Sequence, residues 1–225
     1  MAKLNRLSLP DQVYEDLKWR IISLELPLGS RLNASELQRF YSVSSTPIRE
    51  ALNRLTRDGL IAYTNNVGAQ VISLTPQDII EISEVGFALR AEAVRLTMRR
   101  GLSSALADSL EAYIKAYAEV ADQEDLRSYI LKIERSFFDR AGNSRLVDTI
   151  IGMAPQMDLL QNLFIKALQE HKMDFLEKIR DYEKVCNLIR QDNADEAILA
   201  LEELCYHGAQ LAQLGLELVI DAKER

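Results

Sequence analysis

At 225 residues, with 48% hydrophobic and 27% charged side chains, the chain is long enough for one large cored domain or two small ones. That composition excludes intrinsic disorder and removes any need for a disulfide or metal staple. The formal net charge of -7, with a pI near 5.0, by itself argues against a generic nucleic-acid binder, which is usually basic.

The charge is unevenly spread. Residues 1–74 carry nine Lys or Arg against seven Asp or Glu, a balance of +2, which leaves -9 for residues 75–225. Turn signals divide the same way, with Pro10, Pro27, Gly29, Pro47, Gly59 and Gly68 all in the first third. Thr75-Pro76 marks the joint, because the residue before a proline avoids the α region and Pro76 suits the first turn of a new helix. Two domains are therefore expected, 1–74 and 75–225.

The first domain reads as three short helices and a hairpin. Ser8 is placed to cap a helix with Pro10 in its first turn, and Val13, Leu17 and Ile21 recur along one face. Leu26-Pro-Leu-Gly-Ser30 is a turn. Ser35 is expected to cap a second helix, from Glu36 to about Tyr41, buried through Leu37 and Phe40. Thr46 is expected to cap a third, with Pro47 at its first position, Ile48, Ala51, Leu52 and Leu55 on one face and Gly59 as its stop. Two β-rich runs, Leu60–Tyr63 and Ala69–Ser73, flank a turn-rich tip at Thr64–Gly68. This order makes a winged helix-turn-helix pattern.

The remainder is almost all helix, in about six segments near 77–100, 103–121, 125–141, 144–169, 172–191 and 193–220. Pro155 lies inside the fourth and is expected to kink or split it. The fold class expected is mainly α: an N-terminal winged helix-turn-helix followed by an all-α antiparallel bundle. Cys186 and Cys205, with no apolar leader and no apolar run near the roughly 18 residues of a membrane span, point to a reducing cytoplasm with both thiols free and buried.

The chemistry concentrates at the start of the third helix. With Thr46 as cap, Arg49 falls in the first turn, where it opposes the positive end of the helix dipole and an anion would reverse the sign. First-turn amides, the hydroxyls of Ser44, Ser45 and Thr46, and the Arg49 guanidinium form a set suited to a DNA phosphate or a guanine edge. Asn53 and Arg57 continue the exposed side, and Gly68 lets the hairpin tip lie close to a sugar-phosphate backbone. No Gly-rich phosphate loop, Cys–His pair at telling spacing or Gly-x-Ser-x-Gly elbow points to catalysis.

These residues carry a resemblance. Val43-Ser-Ser-Thr-Pro-Ile-Arg-Glu-Ala-Leu52, with Leu55 and Gly59-Leu-Ile61, resembles the hallmark Val-Ser-Arg-Thr-Pro-Val-Arg-Glu-Ala-Leu of the GntR family of bacterial transcription regulators. Val13–Leu17, Ile21-Ile22, Gly29–Leu32, Glu36-Leu37 and Gly68–Val71 fit the same family, over about residues 8–74. The helical remainder is similar to the FadR-like branch with an FCD ligand-sensing domain, through Leu89–Ala93 and Ala141–Leu146. The resemblance implies a cytoplasmic homodimer that binds double-stranded palindromic operator DNA and answers a small-molecule effector, such as an organic acid. Ser45 stands where the family usually has a DNA-reading arginine, and Val67 where many members have a wing cation. The usual operator is therefore not expected, and phosphate contact should be weaker.

Many FCD domains bind a divalent metal through an Asp and three His, beginning Asp-x-x-Phe-His. Here the run is Glu134-Arg-Ser-Phe137-Phe138, the second histidine position falls near Tyr182 and the last near Leu204, with His207 one turn away. The resemblance thus implies no cofactor and no metal, and an effector site resting on Arg90, Glu134 and Tyr182. Arg90 is suited to clamp a carboxylate or to pair with Glu92 or Glu134. His171 reads as a solvated loop histidine. Two other classes stand beside this reading: a helical binding or scaffold protein whose winged domain contacts a protein, and a small-molecule enzyme in the helical domain.

Overall fold

The computed structural model describes residues 8–64, 67–118, 132–173 and 175–224. The chain divides into two compact units, Met1–Asp78 with Gly152–Asn162, and Ile79–Ile151 with Leu163–Arg225.

The first unit contains α1 (Leu9–Ile22), α2 (Ala34–Tyr41), α3 (Ser45–Arg57), β1 (Ile61–Thr64) and β2 (Gly68–Val71). α1 starts where the sequence places it. Ser8 caps it in a reciprocal box with Asp11, which satisfies an orphan amide at each end of the pair. The Ser8 hydroxyl, followed by the Arg54 guanidinium, holds the Asp11 carboxyl below its ordinary value of 3.8. Val13, Leu17 and Ile21 are buried as the spacing predicts, and α1 packs on α3, whose Ile48, Leu52 and Leu55 are buried too. Removing these side chains from water is the main stabilising term of this unit.

Several local expectations shift by a few residues. α2 is capped by Asn33, whose Oδ1 accepts from Ser35 N at 2.9 Å, so Ser35 is already inside the helix. Asn, Ser and Asp cap about equally well, and their order in sequence does not decide between neighbours. Phe40 is 66% exposed rather than core, with the Arg20 guanidinium over its ring at 5.0 Å; Leu37 is half-buried. Ser42 closes the helix-turn-helix corner in the left-handed region, φ 54°. α3 begins two residues earlier than expected: Ser44, not Thr46, is its N-cap, and it makes no side-chain capping bond. Arg49 therefore lies just past the first turn.

The hairpin is antiparallel, in the register Ile61↔Val71, Ala62↔Gln70, Tyr63↔Ala69 and Thr64↔Gly68. Residues 29–32, which overlap the end of the turn read over Leu26–Ser30, add a short third edge. Val71 N donates to Ser30 O, Leu32 N donates to Ala69 O, and Arg31 bridges Gln70.

In the second unit α4 (Pro76–Arg99) is entered through Thr75, which pairs reciprocally with Asp78. It is followed by α5 (Ser103–Ala118), helical residues 132–136, α6 (Ser144–Glu170), α7 (Phe175–Arg190) and α8 (Ala194–Glu224). The helix expected over 125–141 falls partly outside the described residues, and 137–140 form turns instead. Phe137 of that turn is fully buried among Leu106, Leu110, Ile114, Val185, Ile189 and Leu201. α6 runs unbroken through Pro155, so the expected split does not occur. Arg190 of α7 reaches Asp108 and Glu111 of α5 at 2.7 and 2.9 Å. Cys186 is buried, its thiol pushed up to about 12 by burial, while Cys205 is half-buried.

Gly215 of α8 faces the backbone of α6: a Cβ there would stand 1.9 Å from the Leu163 carbonyl oxygen. Gly215→Ala is therefore expected to destabilise the chain by about 1–3 kcal/mol through overpacking, read as a lower urea midpoint. Asp11 gives an acid-stability signature. Its folded value lies below the unfolded one, so its contribution is complete above the ordinary Asp range and fades as pH falls through the lower folded value. Asp11→Asn should flatten that limb of the stability–pH curve and leave the limb above neutrality unchanged.

Candidate nucleic-acid interface and buried charge cluster

α3 has two unlike faces. Pro47, Ile48, Ala51, Leu52 and Leu55 are buried, while Ser44, Thr46, Arg49, Asn53 and Arg57 are exposed and Ser45 is half-buried. Spacings of three and four residues put Thr46, Arg49, Asn53 and Arg57 along one side of the helix. No acidic residue stands in the first turn, and the cap hydroxyl is not committed to a capping bond. The positive end of the helix dipole is thus left for an outside anion. Gly68 is exposed at φ 89°, with nothing within 4 Å of where a Cβ would stand. The structure brings Ser44, Ser45, Thr46, Arg49 and Asn53 together on α3, and places Gly68 at the wing.

Arg54 shows by contrast what a committed cation looks like. Its Nη1 lies 2.6 Å from Asp11 Oδ1, and its guanidinium stacks 3.8 Å from the Tyr14 ring centroid. Tyr14 donates to Asp58 at 2.6 Å, and burial followed by the Asp58 carboxylate pushes the phenol upward. This cluster fastens α3 to α1. Sequence reasoning missed it because Asp11 and Arg54 are 43 positions apart and no local pattern links them.

The second unit assembles the other predicted residues. Arg90 is 7% exposed. Its Nε donates to Gly86 O at 3.2 Å and its Nη1 meets Glu134 Oε2 at 2.8 Å. Tyr182 donates from α7 to Glu134 Oε1 at 3.1 Å. Of the two partners foreseen for Arg90, Glu134 takes the role, and Glu92 pairs with Arg99 at 2.9 Å. Burial disfavours the Arg90 cation, but facing groups, Cys205 and then Glu134 and Tyr182, outweigh it and the net shift is upward. Burial raises both the Cys205 thiol and the Tyr182 phenol. The involvement of Cys205 has no signal in the sequence.

These residues do not fit a divalent metal. The one carboxylate is already neutralised by a guanidinium, which would repel a second cation at the same oxygens. Phe138 is buried and offers no lone pair, Tyr182 spends its hydroxyl on Glu134, and His207 is exposed. Among the described residues no group of three His, Cys, Asp or Glu converges. Nor, among those residues, is any helix long and apolar enough to cross a membrane.

Comparison with known proteins agrees with this geometry. Residues 9–71 match the model of the bacterial regulatory proteins of the gntR family, and residues 81–206 match the FCD domain. An HTH-type transcriptional regulator of Bacillus subtilis is 28% identical over 171 residues, 73% of this chain and 66% of that protein. The probable D-xylose utilization operon transcriptional repressor of Paenarthrobacter nicotinovorans is 29% identical over 127 residues, 56% of this chain and 55% of that one. The chain thus matches less than two thirds of the length of both. The gluconate operon transcriptional repressor of Bacillus licheniformis is 25% identical over 203 residues, covering 89% and 83%. Among solved structures, McbR/YncC of E. coli superposes with a TM-score of 0.66 at 22% identity, covering 92% of this chain and 98% of that one, a likeness of fold. The chain belongs to the gntR family of bacterial regulatory proteins, with an FCD domain following its winged helix-turn-helix.

Proposed function

We propose that the protein is a cytoplasmic, ligand-responsive transcription regulator that binds a palindromic operator as a homodimer. Residues 1–74 serve as the DNA-binding domain and residues 75–225 as the effector-binding and dimerisation domain. The observation that carries this reading is the exposed row of Thr46, Arg49 and Asn53 on a helix whose opposite face is buried. In that arrangement α3 enters the major groove, its first turn and Arg49 meet phosphate or a guanine edge, and Gly68 lets the wing approach the backbone. The +2 balance of residues 1–74 favours DNA, while the -9 of the remainder stays away from it. Relatives named for D-xylose and gluconate operons support a small-molecule signal for the helical domain. Effector binding there biases the two winged domains with a coupling of about 1–3 kcal/mol, if it is typical of allosteric proteins.

Arg49→Ala is expected to abolish specific operator binding in a fluorescence-anisotropy titration while leaving circular dichroism and oligomeric state unchanged. Unaltered affinity would refute the DNA-reading role and favour a protein partner for the winged domain. Ser45→Arg, which adds a cation to the same edge, should tighten binding. It should also steepen the dependence of log K on log salt by about 0.9, the increment expected for one added phosphate contact. An unchanged slope would count against this docking.

A further inference from the structure

α6 is one unbroken helix, yet it does not belong to a single unit. Residues 152–162 are part of the winged unit, and the turns on either side are part of the second. Two side chains of that middle stretch meet the backbone at helix ends of the winged unit. The last four carbonyls of a helix have no partner inside it. In α1 those of Trp19, Arg20 and Ile21 accept from Ser23, Leu26 and Leu24 in the following turn. Ile22 O accepts instead from Asn162 Nδ2 at 2.9 Å, 140 positions away in sequence. The same Nδ2 donates to Asp158 O at 3.1 Å, which fixes the amide along its own helix. Earlier on α6, Gln156 lies across Gly59, the left-handed residue (φ 70°) just past the end of α3. A Cβ at Gly59 would stand 1.9 Å from Gln156 Nε2. Pro155, Leu159 and Leu160 of the same stretch are buried.

The two ends of this stretch differ. At its N-terminal end stand Gly152 and Pro155. Glycine loses the most backbone freedom in a helix, and proline has no N–H for the carbonyl one turn back, so α6 is weakest there. At its C-terminal end Leu163, the residue after Asn162, is pressed on α8. A Cβ on Gly215 would stand 1.9 Å from Leu163 O and 3.0 Å from its Cα. Backbones held that closely move together, because a close-packed interior transmits strain rather than absorbing it.

We infer that Gln156 and Asn162 make the middle of α6 the transmitting element of the chain, through which a shift of α8 reaches the ends of α1 and α3. This rests on the reading of the helical domain as an effector domain, and it specifies how that domain's state is passed on. Leu163 carries the displacement to the adjacent Asn162, and Asn162 draws on the last carbonyl of α1. Gln156 bears on the end of α3, while Gly152 and Pro155 absorb the bend. α1 packs on α3, whose exposed face carries Arg49, so movement at these two ends turns that face. The coupling is reciprocal: a duplex that holds α3 acts back on α8.

The test is a double-mutant cycle on the full chain, read by amide hydrogen exchange. Gly215→Ala, which overpacks α8 against Leu163, is the perturbation, and Gln156→Ala/Asn162→Ala removes the link. The amides of Leu24, Leu26, Gly59 and Leu60, all hydrogen-bonded at the two helix ends, are the reporters. Gly215→Ala alone is expected to speed their exchange about five- to tenfold relative to Leu17 of α1, the scale of one weakened hydrogen bond. In the Gln156→Ala/Asn162→Ala background the same substitution should change them by less than about twofold. The inference is overturned if Gly215→Ala leaves these amides unmoved, or moves them equally in both backgrounds. Should Gly215→Ala not fold, urea unfolding decides. It is followed by the fluorescence of Trp19, the only tryptophan, on α1, and by far-UV circular dichroism, which the other helices dominate. Midpoints are expected to coincide in the wild type, with Trp19 unfolding first in Gln156→Ala/Asn162→Ala. Separate midpoints in the wild type, or coincident ones in that variant, overturn the inference. Operator affinity of the wild type separates the two levels. A chain that binds operator but fails the cycle retains the regulator reading and loses this one; a chain that passes the cycle without binding operator keeps the link and loses the regulator reading.

Discussion

Everything the exposed side of α3 does depends on the burial of its other side against α1. Leu17 and Ile21 of α1 and Ile48, Leu52 and Leu55 of α3 are almost fully withdrawn from water, and at about 1.5–3 kcal/mol for each large aliphatic side chain this dominates the unit. The apolar contact is non-directional and would tolerate some rotation of the helix. The polar cluster at its edge removes that freedom. Arg54 is fixed between Asp11 and the Tyr14 ring, and Tyr14 in turn holds Asp58 beyond the helix C-terminus. With rotation fixed, Thr46, Arg49 and Asn53 have one direction left to face.

Two arginines on opposite sides of one helix therefore have opposite fates. Arg54 is spent on architecture, whereas Arg49, five residues earlier in sequence, is exposed. The same division of labour recurs in the charge of the whole chain. An acidic total conceals a mildly basic winged portion, and the acids lie mostly in helices that lock to one another, as Arg190 does with Asp108 and Glu111. With Ser45 and Val67 at positions where the resemblance leads one to expect cations, the proposed DNA contact relies less on nonspecific attraction and more on base contacts.

What was legible in the sequence follows from the range of each signal. Element types came from hydrophobic periodicity and from prolines and glycines, which act locally: the cap at Ser8 and the buried face of α3 stand as read. Boundaries were less legible, because Asn33, Ser35, Ser44 and Thr46 are all competent caps, and tertiary packing chose among them. Phe40 was misplaced because periodicity makes an aromatic look like core, while Arg20 offers its ring a partner at the surface. Long-range polar pairs left no trace. Arg90 and Glu134 became a plausible pair only through family likeness, and Cys205 beside them could not be foreseen from spacing.

The most direct test of the central claim is a backbone amide shift map of the full chain on adding a duplex taken from the intergenic DNA beside its own gene. The account predicts the largest perturbations at Ser44 to Asn53 and at Gly68, with the buried positions of α1 little changed. Perturbations confined to other surfaces, with Arg49 and its neighbours unmoved under saturating duplex, would contradict it.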